Sequence, residues 1–223
     1  MNPLYLHEDA ELQRPRLSAV CRSLHRRGWM PGTSGSVSIR AGEAIMITTR
    51  DQSKRTISRQ DTVLVDPFQG LPLLGETEWP AAETSMHLAI YQQVPGCGAI
   101  VHAHAPYATV LATVTGTTGF LGQAVFEGME LAKGLGVTDP HLVVVPIFTN
   151  WPDGSRIAND VSAYLDASAA GAPPALLIDR HGVTTWGPDL DEARNRLESI
   201  EELCRLTLLT SAFGAGVAKE HLR

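Results

Sequence analysis

Two long segments of the chain carry apolar residues at the spacing of an amphipathic helix. The first runs from about Glu8 to Arg27 and ends before Gly28. The last begins at Asp189, which has Glu192 three positions later, the spacing of a capping box. Its apolar stripe consists of Leu190, Ala193, Leu197, Ile200, Cys204 and Leu208. Shorter helices are predicted at about residues 80–94, 107–114, 127–135 and 155–167.

Runs of apolar and β-branched residues between turn residues predict the strands. They cover residues 36–40, 44–48, 62–66, 98–104, 142–147 and 175–179, and the last of these is predicted to be the final strand of the chain. Residues 68–79 and the Gly/Thr-rich segment after residue 114 are predicted as loops. Strands mixed with helices in this way predict an α/β fold, a sheet covered by helices on its faces, in a single domain over residues 1–223.

Composition and charge narrow the classes of function. Of 223 residues, 43% are hydrophobic and 19% charged, which is typical of a globular protein. The net charge is −6 without a basic run, which argues against a nucleic-acid partner. Cys21, Cys97 and Cys204 are odd in number and widely spaced, so we expect buried reduced thiols and a cytoplasmic setting. No signal peptide and no run of 18 apolar residues is found, so no membrane partner is expected.

Three histidines are candidate metal ligands. His102 and His104 lie two apart in the strand predicted at 98–104, so their side chains point to the same face. His181 follows the strand at 175–179 and precedes Gly182, where the backbone can turn sharply. Imidazole is a common zinc ligand, and a catalytic site needs three protein ligands. The sequence therefore predicts one bound divalent ion, zinc or another first-row metal; the alternative is ordinary half-buried histidines.

Several motifs, in this order, resemble the class II aldolase/adducin family over roughly residues 15–210. They are Glu83-Thr-Ser-Met-His87, Ile-Val-His102-Ala-His104 and Arg180-His181-Gly182. Within the family, residues 129–134, 145–150 and 177–187 look most like the methylthioribulose-1-phosphate dehydratases.

The resemblance implies a fold, an assembly and roles for individual residues. The fold is a central, mainly antiparallel sheet flanked by helices in three layers, and the assembly is a homotetramer with sites near subunit boundaries. The ligands of one Zn²⁺ per subunit carry over onto His102, His104 and His181. The general acid/base of the dehydratases carries over onto Glu130, and Glu83 matches the acid/base carboxylate of the aldolases.

The phosphate site matches the family less closely. Ser36 stands where the family usually has Asn, in a turn that also contains Gly35. Arg50-Asp51 replaces a Ser-Gly pair, and Ala81-Ala82 replaces small hydroxyl residues. Cations could compensate, because a guanidinium can bind phosphate with two hydrogen bonds, although ordinary surface cations are an equal alternative. The candidate phosphate-binding residues are Gly35, Ser36, Arg50, Lys54 and Lys133.

The resulting hypothesis is a metal-dependent dehydration of a ketose 1-phosphate. We expect 5-methylthioribulose 1-phosphate to become 2,3-diketo-5-methylthiopentyl 1-phosphate, a step of methionine salvage. The metal would acidify the C–H beside the carbonyl, and a glutamate would transfer the proton. Aldol cleavage and epimerisation are alternatives, but the relatives that perform them use late tyrosines, and no tyrosine follows Tyr164. A non-catalytic adducin-like binding domain is a further alternative, disfavoured by the complete ligand set.

Overall fold

Helices and strands are interspersed along the chain. The computed structural model describes residues 10–73, 75–116, 119, 121–168 and 171–220, with side chains described as far as residue 213. The helices are α1 (Ala10–Arg26), α2 (Thr84–Gln93), α3 (Pro106–Thr115), α4 (Gly154–Ser168) and α5 (Leu190–Glu220), with a 3₁₀ helix at Glu130–Leu135. The strands are β1 (Ser36–Ala41), β2 (Ala44–Thr48), β3 (Thr62–Val65), β4 (Ala99–Ala103), β5 (Leu121–Glu127), β6 (Leu142–Phe148), β7 (Ala175–Ile178) and β8 (Gly182–Gly187).

All eight of these strands form one sheet, in the order β3-β2-β1-β4-β8-β7-β6-β5. Every neighbouring pair is antiparallel except β6 and β7, which run parallel. The prediction of a mainly antiparallel sheet is therefore confirmed. Strand β4 lies inside the sheet between β1 and β8, where His102 is the register partner of both Ser36 and Thr184.

The two faces of the sheet carry separate hydrophobic cores, which gives three layers. Helices α1, α3 and α5 cover one face, together with the 3₁₀ helix, and α2 and α4 cover the other. Alternation along β4 shows the principle, since Val101 and Ala103 pack into the first core while Ile100 packs into the second. His102 follows Ile100 by two residues and therefore points to the same face of the sheet, so its ring lies on the side of α2 and α4. No helix among the described residues is long and apolar enough to cross a membrane.

Two strands were not predicted. The segment predicted as a Gly/Thr-rich loop contains β5, and β8 follows the strand that was predicted to be the last. Residues 182–187 are buried on both faces, so the alternation that marks a half-exposed strand is missing. In β5 the first buried residues are Ala124 and Phe126, after a start with Gly122 and Gln123 that weakens the pattern. Residues 117, 118 and 120 of that predicted loop lie outside the described residues.

Some helix boundaries were also wrong. The predicted helix at 127–135 is a strand up to Glu127 and a 3₁₀ helix from Glu130. Pro80 does not open α2; it forms an isolated bridge with Thr49, and the helix begins at Thr84. Helix α5 continues well beyond the predicted stripe, to Glu220. The first two residues of the helix predicted from Glu8 lie outside the described residues.

Candidate metal centre

A close approach of backbones fixes the position of His102. Gly35 precedes β1 with φ +80°, and a Cβ added to it would lie 2.9 Å from the carbonyl oxygen of His102. Only glycine tolerates both this dihedral and this contact. His104 follows the end of β4, and its amide donates to the carbonyl of Trp29 at 2.8 Å. The pair is thus held from the β1 side through backbone contacts.

The tight turn between β7 and β8 presents His181. Its amide donates to the carbonyl of Ile178 at 3.1 Å, and Arg180 before it has a left-handed φ of 53°. A Cβ added to Gly182 would lie 2.3 Å from the carbonyl oxygen of Ala103, which no side chain could tolerate. Glycine at this position therefore lets the turn lie directly against the end of β4.

The three imidazole rings converge at this point. Their centroids are 5.2 Å apart for His102 and His104, 4.9 Å for His102 and His181, and 4.7 Å for His104 and His181. One ring nitrogen from each lies within 4.8 Å of the others. Buried nitrogens without a hydrogen-bond partner are found on every ring, namely Nε2 of His102, Nε2 of His104 and Nδ1 of His181. Buried polar atoms are normally paired, so this cluster fits a cation that would complete them.

A second hydrogen bond orients the ring of His102. Its Nδ1 lies 2.9 Å from Oγ1 of Thr184, which in turn lies 3.8 Å from Sδ of Met86. With the Nδ1 proton donated to the threonine, the lone pair is left on Nε2, the atom that has no protein partner. Thr184 is fully buried beside His102 in the register of β8 and β4.

Burial keeps the three rings neutral, the state in which they bind metals. Desolvation lowers the pKa of His102 well below its ordinary value, and the neighbouring His181 and His104 lower it further. Desolvation, with His181, lowers the pKa of His104 to about 4. Desolvation also lowers the pKa of His181, and the charge of Glu83 opposes the downward shift in the two half-buried rings, those of His104 and His181.

Sequence comparisons show the family of the chain. The model of the class II aldolase and adducin N-terminal domain matches residues 15–208. The chain belongs to this family. A probable bifunctional methylthioribose-1-phosphate isomerase/methylthioribulose-1-phosphate dehydratase of Nocardia farcinica is 42% identical over 93% of the chain, which spans only 37% of that relative's length. A methylthioribulose-1-phosphate dehydratase of Serratia proteamaculans is 35% identical, covering 88% of the chain and 94% of the relative.

Solved structures of the family share the fold. YgbL of Klebsiella pneumoniae superposes with a TM-score of 0.75 at 27% identity, covering 90% of each chain. L-fuculose-1-phosphate aldolase of Thermus thermophilus superposes with a TM-score of 0.72 at 20% identity, covering 92% of this chain and 97% of that one. The latter supports the fold alone.

Glu83 lies beside the triad, as its match to the family's aldolase carboxylate implies. It is the half-buried cap residue of α2, and its side chain caps no amide of that helix. Together with His181 it lines a cavity of about 310 Å³, and its negative charge acts on both His104 and His181. Its side chain and the ring of His181 therefore face the same cavity.

Glu130 lies elsewhere on the same chain. It begins the 3₁₀ helix that packs on α5, its side chain is 84% exposed, and Lys133 binds it at 2.6 Å. It is not among the residues that line the cavity beside His181. The structure thus brings together the three histidines and Glu83, but not Glu130 or Lys133.

The remaining candidates for phosphate binding are spread over two environments. Ser36 is fully buried, and its hydroxyl lies 3.1 Å from Nε2 of His87, inside the sheet–helix layer. Lys54 is 1% exposed, and its ammonium group donates to the carbonyls of Thr33 and Gln52, so it holds the loop before β1. Arg50 is exposed over the ring of Trp79, with its guanidinium carbon 6.0 Å from the centroid.

Two supporting side chains escaped the sequence reasoning. Thr184 and Met86 occur in motifs that marked the family, but nothing in their type or spacing indicates contact with His102. His87, the last residue of the first family motif, is fully buried and does not line the cavity beside His181. Its Nδ1 lies 2.7 Å from Oγ of Ser38, and desolvation lowers its pKa to about 3. Knowing that β8 pairs with β4 would have revealed Thr184.

Proposed function

We propose that this chain is a metal-dependent hydro-lyase that converts 5-methylthioribulose 1-phosphate into 2,3-diketo-5-methylthiopentyl 1-phosphate. The observation that carries the proposal is the convergence of three neutral imidazoles with unpartnered nitrogens beside the carboxylate of Glu83. The names of the Serratia and Nocardia relatives supply the substrate and the reaction. A place in methionine salvage follows from that reaction.

Zinc is the proposed metal, held by His102, His104 and His181. Three neutral nitrogen ligands are a common catalytic zinc set and leave a position for substrate. When bound, the cation would polarise the ketose carbonyl as a Lewis acid. The protein's own contribution is to hold the rings in one protonation state through burial and through Thr184.

The proposed dehydration requires two groups of the protein that transfer protons near the reacting carbons. The proton on C3, next to the carbonyl, passes to a glutamate, and the hydroxyl on C4 leaves with a proton from a general acid. The resulting enol becomes the diketone, so one water molecule is lost and no oxidant is needed. Glu83 is within the cavity of the triad and is one of the two groups.

The second group is Glu130, supplied by a neighbouring subunit of a homotetramer. Its exposure and its absence from the cavity that Glu83 and His181 line are consistent with this. Exposed apolar residues surround both halves of such a contact: Leu131 follows Glu130, and Tyr107, Val110 and Val114 lie along α3, which begins just after His104. We propose that these surfaces meet and complete the site.

The phosphate is proposed to bind on the β1 side of the triad. Gly35 and Lys54 shape the loop there, and the charge of Glu83 reaches Lys54 as well as the histidines. Arg50 is the exposed cation that could move to the phosphate, while Ser36 and Lys133 are already engaged with His87 and Glu130. The whole chain is proposed to act as one domain in the cytoplasm, where its buried thiols stay reduced.

The first experiment identifies the product. Purified protein loaded with zinc and given 5-methylthioribulose 1-phosphate should form the diketone, detected by mass spectrometry as the loss of one water. His104→Ala should lose both the metal and the product. Formation of an aldehyde fragment would instead establish aldol cleavage, and substrate that returns as a stereoisomer would establish epimerisation.

Subunit mixing tests the position of Glu130. Glu130→Gln and His104→Ala should each be inactive, whereas oligomers formed from both should recover activity, because one interface then combines an intact glutamate with an intact triad. Mixing His104→Ala with His181→Ala is the matched control and should recover none. Activity absent from the first mixture, in proven hybrids, would remove Glu130 from a role between subunits.

A further inference from the structure

The cavity beside the triad is lined by two ionisable side chains and otherwise by a mostly apolar wall. The ionisable side chains are those of His181 and Glu83, the groups proposed to act at the reacting carbons. Most of the remaining wall consists of apolar side chains, those of Ala82, Met86, Trp151, Pro152, Ile157 and Ile178. At about 310 Å³ the cavity is at the small end of the range for ligand sites, so it would hold part or all of a small sugar phosphate.

The apolar wall is built from side chains that have no free polar group to offer. Met86, Ile157 and Ile178 are 2%, 6% and 1% exposed, so each is fixed by the core of the α2–α4 face. The indole nitrogen of Trp151 donates to the carboxylate of Asp160 at 2.8 Å. Among the described residues that line this cavity, the only other polar side chain is that of Asn150, which is exposed. A hydroxyl packed against Met86, Ile157 and Ile178 would thus lose water without gaining a partner from them.

Sheet order sets the direction in which a substrate lies. Strand β4, with His102, has β1 and the loop held by Lys54 on one side, and β8, β7 and β6 on the other. The apolar wall comes from that second side: Ile178 ends β7, and Trp151 follows β6. A phosphate on the β1 side therefore leaves the opposite end of the molecule directed at the apolar wall.

We propose that this apolar wall binds the substituent on C5 of the substrate and selects a thioether over a hydroxyl. The inference rests on the proposed function and adds the specificity-determining residues Trp151, Ile157 and Ile178. Thioether sulfur is soft and weakly polar, so a methylthio group suits a wall that contains a methionine and an indole. Burial of one or two such apolar groups discriminates by about 10- to 200-fold.

A pair of substrates tests the preference directly. The protein should turn over 5-methylthioribulose 1-phosphate with a kcat/KM about 10- to 200-fold above that for ribulose 1-phosphate, which carries a hydroxyl at C5. Equal values would overturn the inference while leaving the dehydratase intact. Absence of dehydration with every ketose 1-phosphate would refute the proposed function instead, so the two failures are distinguishable.

Variants locate the preference in the cavity wall. Ile157→Ala should reduce the ratio of the two kcat/KM values several-fold. It should also improve the relative turnover of a propylthio analogue, because the space beside the apolar wall becomes larger. Leu165→Ala is the matched control: it truncates another buried residue of α4, 4% exposed, that does not line the cavity. It should lower stability but leave both ratios unchanged.

When the kcat/KM values for different substrates are measured on one preparation, their ratios do not depend on the fraction of protein that is folded. A merely structural role for Ile157 would lower turnover of all three substrates by the same factor. If Ile157→Ala and Trp151→Ala both keep the wild-type ratios, the C5 substituent does not contact this wall and the assignment is refuted.

Discussion

The hydrogen bond between His102 and Thr184 allows a test of the metal centre that needs no substrate. Both side chains are fully buried, and Nδ1 of the ring lies 2.9 Å from the threonine hydroxyl. A ring nitrogen binds a cation only through its lone pair, so a proton held on Nδ1 is what leaves Nε2 available. Thr184→Val preserves the shape of the side chain and removes this acceptor.

Two separate effects are expected, one on metal affinity and one on folding stability. Loss of a partner that orients a metal ligand typically lowers metal affinity about 10- to 100-fold, which corresponds to about 1.4–2.7 kcal/mol. In the metal-free protein the buried Nδ1–H loses its acceptor, which costs about 1–3 kcal/mol of folding stability. The contact of the hydroxyl with Sδ of Met86, at 3.8 Å, adds little.

The neighbouring residue provides a matched control. Thr185 is also fully buried, but it faces the other side of the sheet and donates to the carbonyl of Ala193 at 2.7 Å. Thr185→Val should cost about 1 kcal/mol of stability and leave the metal affinity unchanged.

Metal affinity would be measured by competition with a chromophoric chelator, and stability by urea unfolding of chelator-treated protein. If Thr184→Val binds zinc as tightly as Thr185→Val does, then Thr184 does not determine which nitrogen of His102 is available, and the proposed arrangement of the centre is wrong.

Three further predictions concern the scaffold. Gly182→Ala should lower stability by about 1–3 kcal/mol and abolish zinc binding, because its Cβ would lie 2.3 Å from a backbone oxygen of β4; circular dichroism melts and metal analysis would show it. The metal-free protein should lose stability as the pH falls from about 6.5 toward 4, because the lowered histidine pKa values, including that of the buried His87, mean that the unfolded chain binds more protons than the folded chain. Urea midpoints that stay flat over this range would contradict this. Glu201→Gln should lower the free energy of unfolding by about 0.5–2 kcal/mol, measured with urea at pH 7, because the Glu201 carboxylate accepts hydrogen bonds from the amides of Tyr107 and Ala108 at the start of α3. Wild-type stability in this variant would show that this cap does not stabilise the helix.

Sequence alone determined the features that depend on local periodicity. The two-residue spacing of His102 and His104 on an apolar segment was enough to place both rings on one face, and the stripe of α5 followed from its 3.6-residue period. The position of His181 at a strand end before Gly182 made it the third candidate, and the family resemblance added the mainly antiparallel sheet. The sheet is confirmed and the three rings converge, while their role as metal ligands stays a prediction.

Only the tertiary structure decided which distant segments touch. Strand β8 was missed because both of its faces are buried, and with it the contact of Thr184 with His102, 82 positions earlier in the chain. The apolar wall beside His181 likewise joins α2, the loop after β6 and α4. The burial of Lys54 and the exposure of Glu130 are equally invisible in the sequence, since Lys54 lies in a polar segment that suggests a solvated side chain, and Glu130 follows Met129 and precedes Leu131. Register across a sheet is set by packing between whole elements, so a local pattern cannot report it.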